Sequence, residues 1–319
     1  MFHNIRSSRK KIHPVIGISF FLAVIFMMAG CSTVHSIEKS TKKIVRNFRA
    51  PDGDLKKKIA LIPFENKTSF KDGGMDVKII EGLTRAISSS CSNILLEKPG
   101  DPGYPDELAR LPRNLSGYID NFDLAKIGRR LGLNEIIVGS VVNILPKNKK
   151  KGFWWFKNTH YYLQVRISTQ VYDTETAAKL LDESFSHEVE VDEVDLDSLK
   201  TEPGILASIM DEAFRAIADK MGEEICNAVV SQPWKGYVAS VNGDRITVNF
   251  GKNAGLKTGD LFDVLDSSGI FKGAGGHRFF IPGRKIGEIK VTTVYPDSAE
   301  AMLVSGHDIR AGLTIQTKD

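Results

Sequence analysis

The stretch YLQVRISTQV, residues 162–171, alternates without a break. Leu163, Val165, Ile167, Thr169 and Val171 interleave with Tyr162, Gln164, Arg166, Ser168 and Gln170. A period of two commits this segment to a strand with one face in the core and one in water. DTETA then turns, and KLLDESFSHEVEV returns with Leu181, Phe185 and Val189 on one side, which makes a hairpin. The next periodicity is helical. Ile205, Ile209, Met210, Phe214, Ile217, Met221 and Ile225 form one stripe on a long helix that closes the domain.

The segments upstream complete it. Ile59–Phe64 reads as a strand, and MDVKIIEGLTRAISSS as a helix with Ile79, Ile80, Leu83 and Ile87 on one face. NILLEK is a second short strand, and the Pro- and Gly-rich run 100–118 a loop. DNFDLAKIGRRLGL is a short helix capped by Asp120 or Asn121, and NEIIVGSVVNIL an apolar strand. After Gln232-Pro233 helical patterning stops. Tyr237–Val241 and Arg245–Phe250 read as strands joined by Asn242-Gly243, a favoured type I′ pair. KIGEIKVTTVYP and AEAMLVSG form a further hairpin. Short, evenly spaced strands without helices predict a small closed barrel. The expected fold is therefore α+β, an α/β sheet domain over 57–232 followed by a small all-β barrel domain over 233–319.

The N-terminus carries an address. Four basic side chains and no acid precede the apolar run VIGISFFLAVIFMM, which at 14 residues is short of the roughly 20 needed to span a bilayer. This reads as a signal peptide over 1–30. Ala29-Gly30 before Cys31 resembles a bacterial lipobox, with Met28 in place of the usual leucine. The resemblance implies cleavage before Cys31 and acylation of its sulfur, with membrane lipid the first partner. Ser32 follows and favours the periplasmic face of the outer membrane over retention at the inner one. Residues 31–56 read as a basic tether, or as a basic amphipathic helix on headgroups or a partner. Fully extended, such a segment reaches roughly 80 Å.

The net charge of +4 resides in that leader: without its four basic residues, 39 remain against 39 acidic ones. The balance gives no argument for nucleic acid as a partner. Cys91 and Cys226 remain in the body, each near a helix end. Nothing in the sequence brings them together, so two buried thiols are expected, with a bridge as the alternative.

The order KKIALIPFENKT, helix, NILLEK, LGLNEIIVGSVVNIL and VRISTQVYDTETAAKLLDE resembles the curli-secretion lipoprotein family (CsgG-like) and the middle domain of flagellar assembly protein T, an α/β architecture also of the TolB N-terminal type. VNGDRITVNFGKNAGLKTGDLFDVLD and GRKIGEIKVTTVYPDSAEAMLVSG look like that protein's C-terminal barrel. The curli branch implies rings and an outer-membrane channel built from two hairpins per subunit. The matching segments here, PKNKKKGFWWFKNTH and HEVEVDEVDLDSLKTEPG, are highly charged. A transmembrane strand needs about 9–11 alternating residues, which neither offers.

No catalytic constellation emerges. His35, His160, His187, His277 and His307 lack metal-ligand spacing, GIFKGAGGHRFF lacks the ending of a phosphate loop, and the acidic run 188–197 lacks calcium-loop spacing. No cofactor, metal or catalytic residue is expected. The surface feature that stands out is KKKGFWWF, where Phe153, Trp154, Trp155 and Phe156 beside lysines suit a membrane interface or a partner, or fold back over the sheet. The expected role is a non-enzymatic, membrane-anchored assembly component of an envelope, flagellar or secretion apparatus, with protein partners and a homo-oligomeric ring among the expectations. A secretion channel subunit and a regulator of a cell-wall synthase are the alternatives.

Overall fold

The alternating hairpin forms one edge of the main sheet in a computed structural model that describes residues 55–70, 74–153, 155–193 and 203–318. Strands β1 (Lys57–Leu61), β2 (Glu65–Asn66), β3 (Ile94–Glu97), β4 (Glu135–Phe153), β5 (Phe156–Asp173) and β6 (Lys179–Val191) form one mixed sheet in the order β3-β1-β4-β5-β6, with β2 added beside β4. β1 runs parallel to both β3 and β4, and β4, β5 and β6 form an antiparallel meander. The register pairs Leu163 with Val189, Ile167 with Phe185 and Val171 with Leu181. The predicted inward set is thus one face, and its apolar members are in the main core with Ile137, Val141 and Ile144.

Helices α1 (Met75–Ser90) and α3 (Pro203–Val230) cover that face. They run parallel and close, because small residues meet: a methyl placed on Gly82 would lie 3.2 Å from Ala218 Cβ, and one on Gly222 only 2.6 Å from Ala86 Cβ. About one turn further on lie Cys91 and Cys226, which are joined in a disulfide with Cα atoms 5.9 Å apart. The expectation of two free thiols is therefore corrected. Parallel packing of two helices 135 residues apart brings their C-terminal ends together, and spacing along the chain carries no sign of that.

Helix α2 (Asn121–Leu131) covers the other face, with Leu124 among Ala60, Ile62, Ile136 and Val138. Asp120 caps it, its carboxylate accepting from the amides of Phe122 and Asp123. Gly132 ends it in the left-handed conformation.

Strands β7 (Lys235–Asn242), β8 (Arg245–Val248), β9 (Leu261–Asp266), β12 (Arg284–Val294), β13 (Ala299–Gly306) and β14 (Thr314–Thr317) close into a barrel in the order β12-β13-β8-β7-β14-β9. Trp234, Phe250 and Phe262 fill one end as a cluster with ring centroids 4.6–5.7 Å apart. The first hairpin turns one residue later than its Asn-Gly signal. Asn242 pairs with Arg245, leaving Gly243-Asp244 at the centre, and positive φ falls on Gly243 but not on Asp244. Only the first turn position thus needs glycine. The glycine-rich stretch is the loop of a two-stranded ribbon, β10 (Ile270–Lys272) with β11 (Arg278–Phe280).

Sheet and barrel belong to one compact unit, Asp54–Asp319. Leu55, at the end of the segment read as a tether, is in the barrel core. The Lys56 amide donates to Ala254 O, and the Trp234 indole donates to Lys56 O.

Candidate functional site

The residues singled out from sequence fall in different places. Cys31 lies outside the described residues, as do Trp154 and the side chain of Phe156. Phe153 and Trp155 are at the tip of a ribbon that sequence reading had treated as a short insertion. Pairing between β5 and β6 ends at Tyr161–Val191, whereas β4 and β5 continue paired to Phe153–Phe156. Five residues of each arm, 149–153 and 156–160, thus extend past the third strand, about 17 Å at 3.3–3.4 Å per residue. Phe153 and Trp155 are 83% and 72% exposed, so the tip does not fold back over the sheet.

The root of the ribbon is a charge collar. Lys147 and Lys149 both reach Glu188 on β6, and Lys151 lies 4.0 Å from Glu190. His160 Nδ1 is 2.6 Å from Glu190, and Tyr161 donates to Glu193 at 2.7 Å. Hydrogen bonds from Lys149 and His160 hold Glu188 and Glu190 below the usual carboxylate range. Lys150, between Lys149 and Lys151, and Lys157, on the other arm, make no ion pair among the described residues.

Behind the ribbon the wet face of β4 and β5 floors a cleft of about 630 Å³, with Ser140, Ser168, Gln170 and Tyr172 below, Arg113 on one wall and Phe279 of β11 on the other. Apolar side chains, Leu111, Ile119 and Val138 among them, share the lining with these polar groups. His277 on the rim faces Asn121 Oδ1 at 3.3 Å and bonds no serine. The described residues contain no group of three or more His, Cys, Asp or Glu suited to a metal ion.

A second polar site escaped sequence reading because its members are distant in the chain. At the junction of sheet and barrel, Lys235 Nζ is 2.6 Å from Asp173 and 3.0 Å from Glu175, with all three buried. Arg129 donates to the carbonyls of Thr174, Glu175 and Ser267, and Asn134 donates to Lys235 O. Burial opposes the Lys235 charge, yet Asp173 and Glu175 outweigh it and hold its pKa above the ordinary lysine value. Glu135, fully buried between β1 and β5, has no hydrogen-bond partner on either oxygen. Burial pushes its pKa up to about 8 against the pull of Lys57 and Lys235. The only sequence sign is a lysine inside the apolar strand WKGYV. These groups are buried at the junction, so the ribbon and the cleft remain as the surfaces open to partners.

Solved structures similar to the chain include the hypothetical protein CT253 from Chlamydia trachomatis, at 11% identity and TM-score 0.30 over 54% of this chain and 98% of that one. Lipoprotein GNA1162 from Neisseria meningitidis aligns at 11% identity and TM-score 0.27 over 48% and 97%. The PelC dodecamer from Paraburkholderia phytofirmans aligns at 10% and 0.28 over 55% and 89%. No curated protein matches the chain. The CsgG-like resemblance of the sheet rests on the quoted segments alone, while residues 243–319, from the first barrel turn onward, match the family described as Flagellar assembly protein T, C-terminal domain.

Proposed function

We propose that the chain is a non-enzymatic component of bacterial envelope assembly, acylated on Cys31 and held at the periplasmic face of the outer membrane. Its α/β domain over 57–232 and its barrel domain over 233–319 present surfaces to protein partners. The observation that carries this is the match of the barrel to the C-terminal domain of an assembly protein. The two open surfaces support it, one a ribbon with an aromatic tip and the other a cleft of mixed polar and apolar lining. Anchoring raises the effective concentration of the body for neighbours on the same membrane without any new contact. The channel alternative loses support from the ribbon, whose free arms of five residues fall short of the roughly 9–11 a spanning strand needs.

Labelling with palmitate, and fractionation of a Cys31→Ser variant, test the anchor. Label on the chain and loss of membrane association in the variant are expected. An unlabelled chain, or an unchanged address, defeats the reading. Crosslinking in native envelopes with mass spectrometry then tests the assembly role, which predicts structural envelope proteins among the adducts. Adducts with a cell-wall synthase alone favour a regulator.

A further inference from the structure

We propose that the tip of the β4–β5 ribbon dips into the headgroup region of a bilayer, with Phe153 and Trp155 inserting and Lys150 and Lys157 on the phosphates of anionic lipids. The proposal extends the anchored reading to a second membrane contact.

Turn chemistry is the first argument. The pair Phe153–Phe156 closes a two-residue connection, a place where Gly, Asn or Asp is favoured, yet the sequence there is Trp154-Trp155. Tryptophan in place of turn formers breaks a local rule, and such breaches gather where function sets the residue. Charge is the second. Three ribbon lysines are matched by Glu188 and Glu190 on β6, whereas Lys150 and Lys157 have no acid among the described residues. Both are exposed, which leaves their charge open to the phosphates of anionic lipid.

Spacing is the third argument. Lys157 is one residue step behind the Phe153–Phe156 pair and Lys150 three steps, so the cations trail the rings by about 3–10 Å. That span agrees with the roughly 5–10 Å by which interfacial elements sink between headgroups and acyl chains. One lysine stands on each arm, and both fall on one face of the ribbon, since Lys157 pairs with Gly152, two residues on from Lys150. Aromatic rings at the boundary with cations toward the phosphates is the usual order of residues at a membrane interface.

The chain contains three tryptophans, Trp154, Trp155 and the buried Trp234, so tryptophan emission reports on the tip. Full-length acylated protein is reconstituted into phosphatidylethanolamine–phosphatidylglycerol vesicles with brominated acyl chains. Quenching of part of the emission, with a blue shift, is expected. A Trp154→Phe, Trp155→Phe variant retains only Trp234 and shows no quenching. A Lys150→Gln, Lys157→Gln variant weakens tip insertion by roughly 30-fold in anionic vesicles, at about a factor of five per lysine, and leaves it unchanged in phosphatidylcholine. Protein that floats with the vesicles while its emission stays unquenched overturns the proposal and leaves the anchor standing. So does a tip position that crosslinks to an envelope protein in place of lipid. Protein that fails to float defeats the anchor, and excess vesicles added to it still read the tip.

Discussion

Lys235 Nζ sits 2.6 Å from Asp173 Oδ1, and this contact joins the first strand of the barrel to the end of β5 in the sheet. Both side chains are about 3% exposed. Removing the cation leaves Asp173 and Glu175 charged and dry. Lys235→Met is expected to cost about 3–5 kcal/mol, read as a lower urea midpoint and melting temperature. A Lys235→Met variant as stable as the parent removes the junction from any account of stability.

Glu135 predicts a pH dependence. Its folded pKa, near 8, lies above the ordinary 4.5, so the folded protein keeps a proton that the unfolded chain has released. The stability it contributes is full below about pH 4.5 and is lost as pH rises through 8. Urea midpoints of the parent should therefore fall between pH 5 and 8 relative to those of Glu135→Gln, in which nothing titrates. Parallel curves for the two proteins contradict the assignment.

The Cys91–Cys226 bridge ties together segments 135 residues apart. Its removal in Cys226→Ser is expected to lower stability by about 2–4 kcal/mol. Thermal melts with and without reductant check this. The parent should drop to the level of the variant on reduction, and the variant should not respond.

Gly222 sets the separation of α1 and α3. A methyl there falls 2.6 Å from Ala86 Cβ and 3.1 Å from the Ala86 carbonyl carbon, so Gly222→Ala forces the helices apart. A loss of about 1–3 kcal/mol is expected, although alanine is the better helix former. Pairing it with Ala86→Gly should restore part of the loss. A variant that gains stability shows that the helices adapt.

What the sequence disclosed follows from the range of the forces involved. The faces of β5 and β6 were legible because alternation is a local record of burial, and Leu163, Ile167 and Val171 record it on one strand. The Asp120 cap was legible for the same reason. The bridge was not, since the approach of Cys91 to Cys226 depends on Gly82, Ala86, Ala218 and Gly222, small residues with no periodic apolar signal. The junction was hidden too. Asp173 and Glu175 read as turn residues in DTETA, and only the fold sets them against Lys235. The ribbon was half legible: its composition stood out, but its projection required knowing that β6 ends at Val191.

The position of Leu55 in the barrel core, one residue before an amide bonded to Ala254, decides how a pull would be borne. Force arriving from upstream of Leu55 meets the barrel first and β1 immediately after. β1 is flanked on both sides by parallel partners, so a load along it shears two rows of hydrogen bonds at once instead of unzipping them singly. The body is thus gripped at its seam, and a pull on the chain at Leu55 is divided between two structures before either can yield.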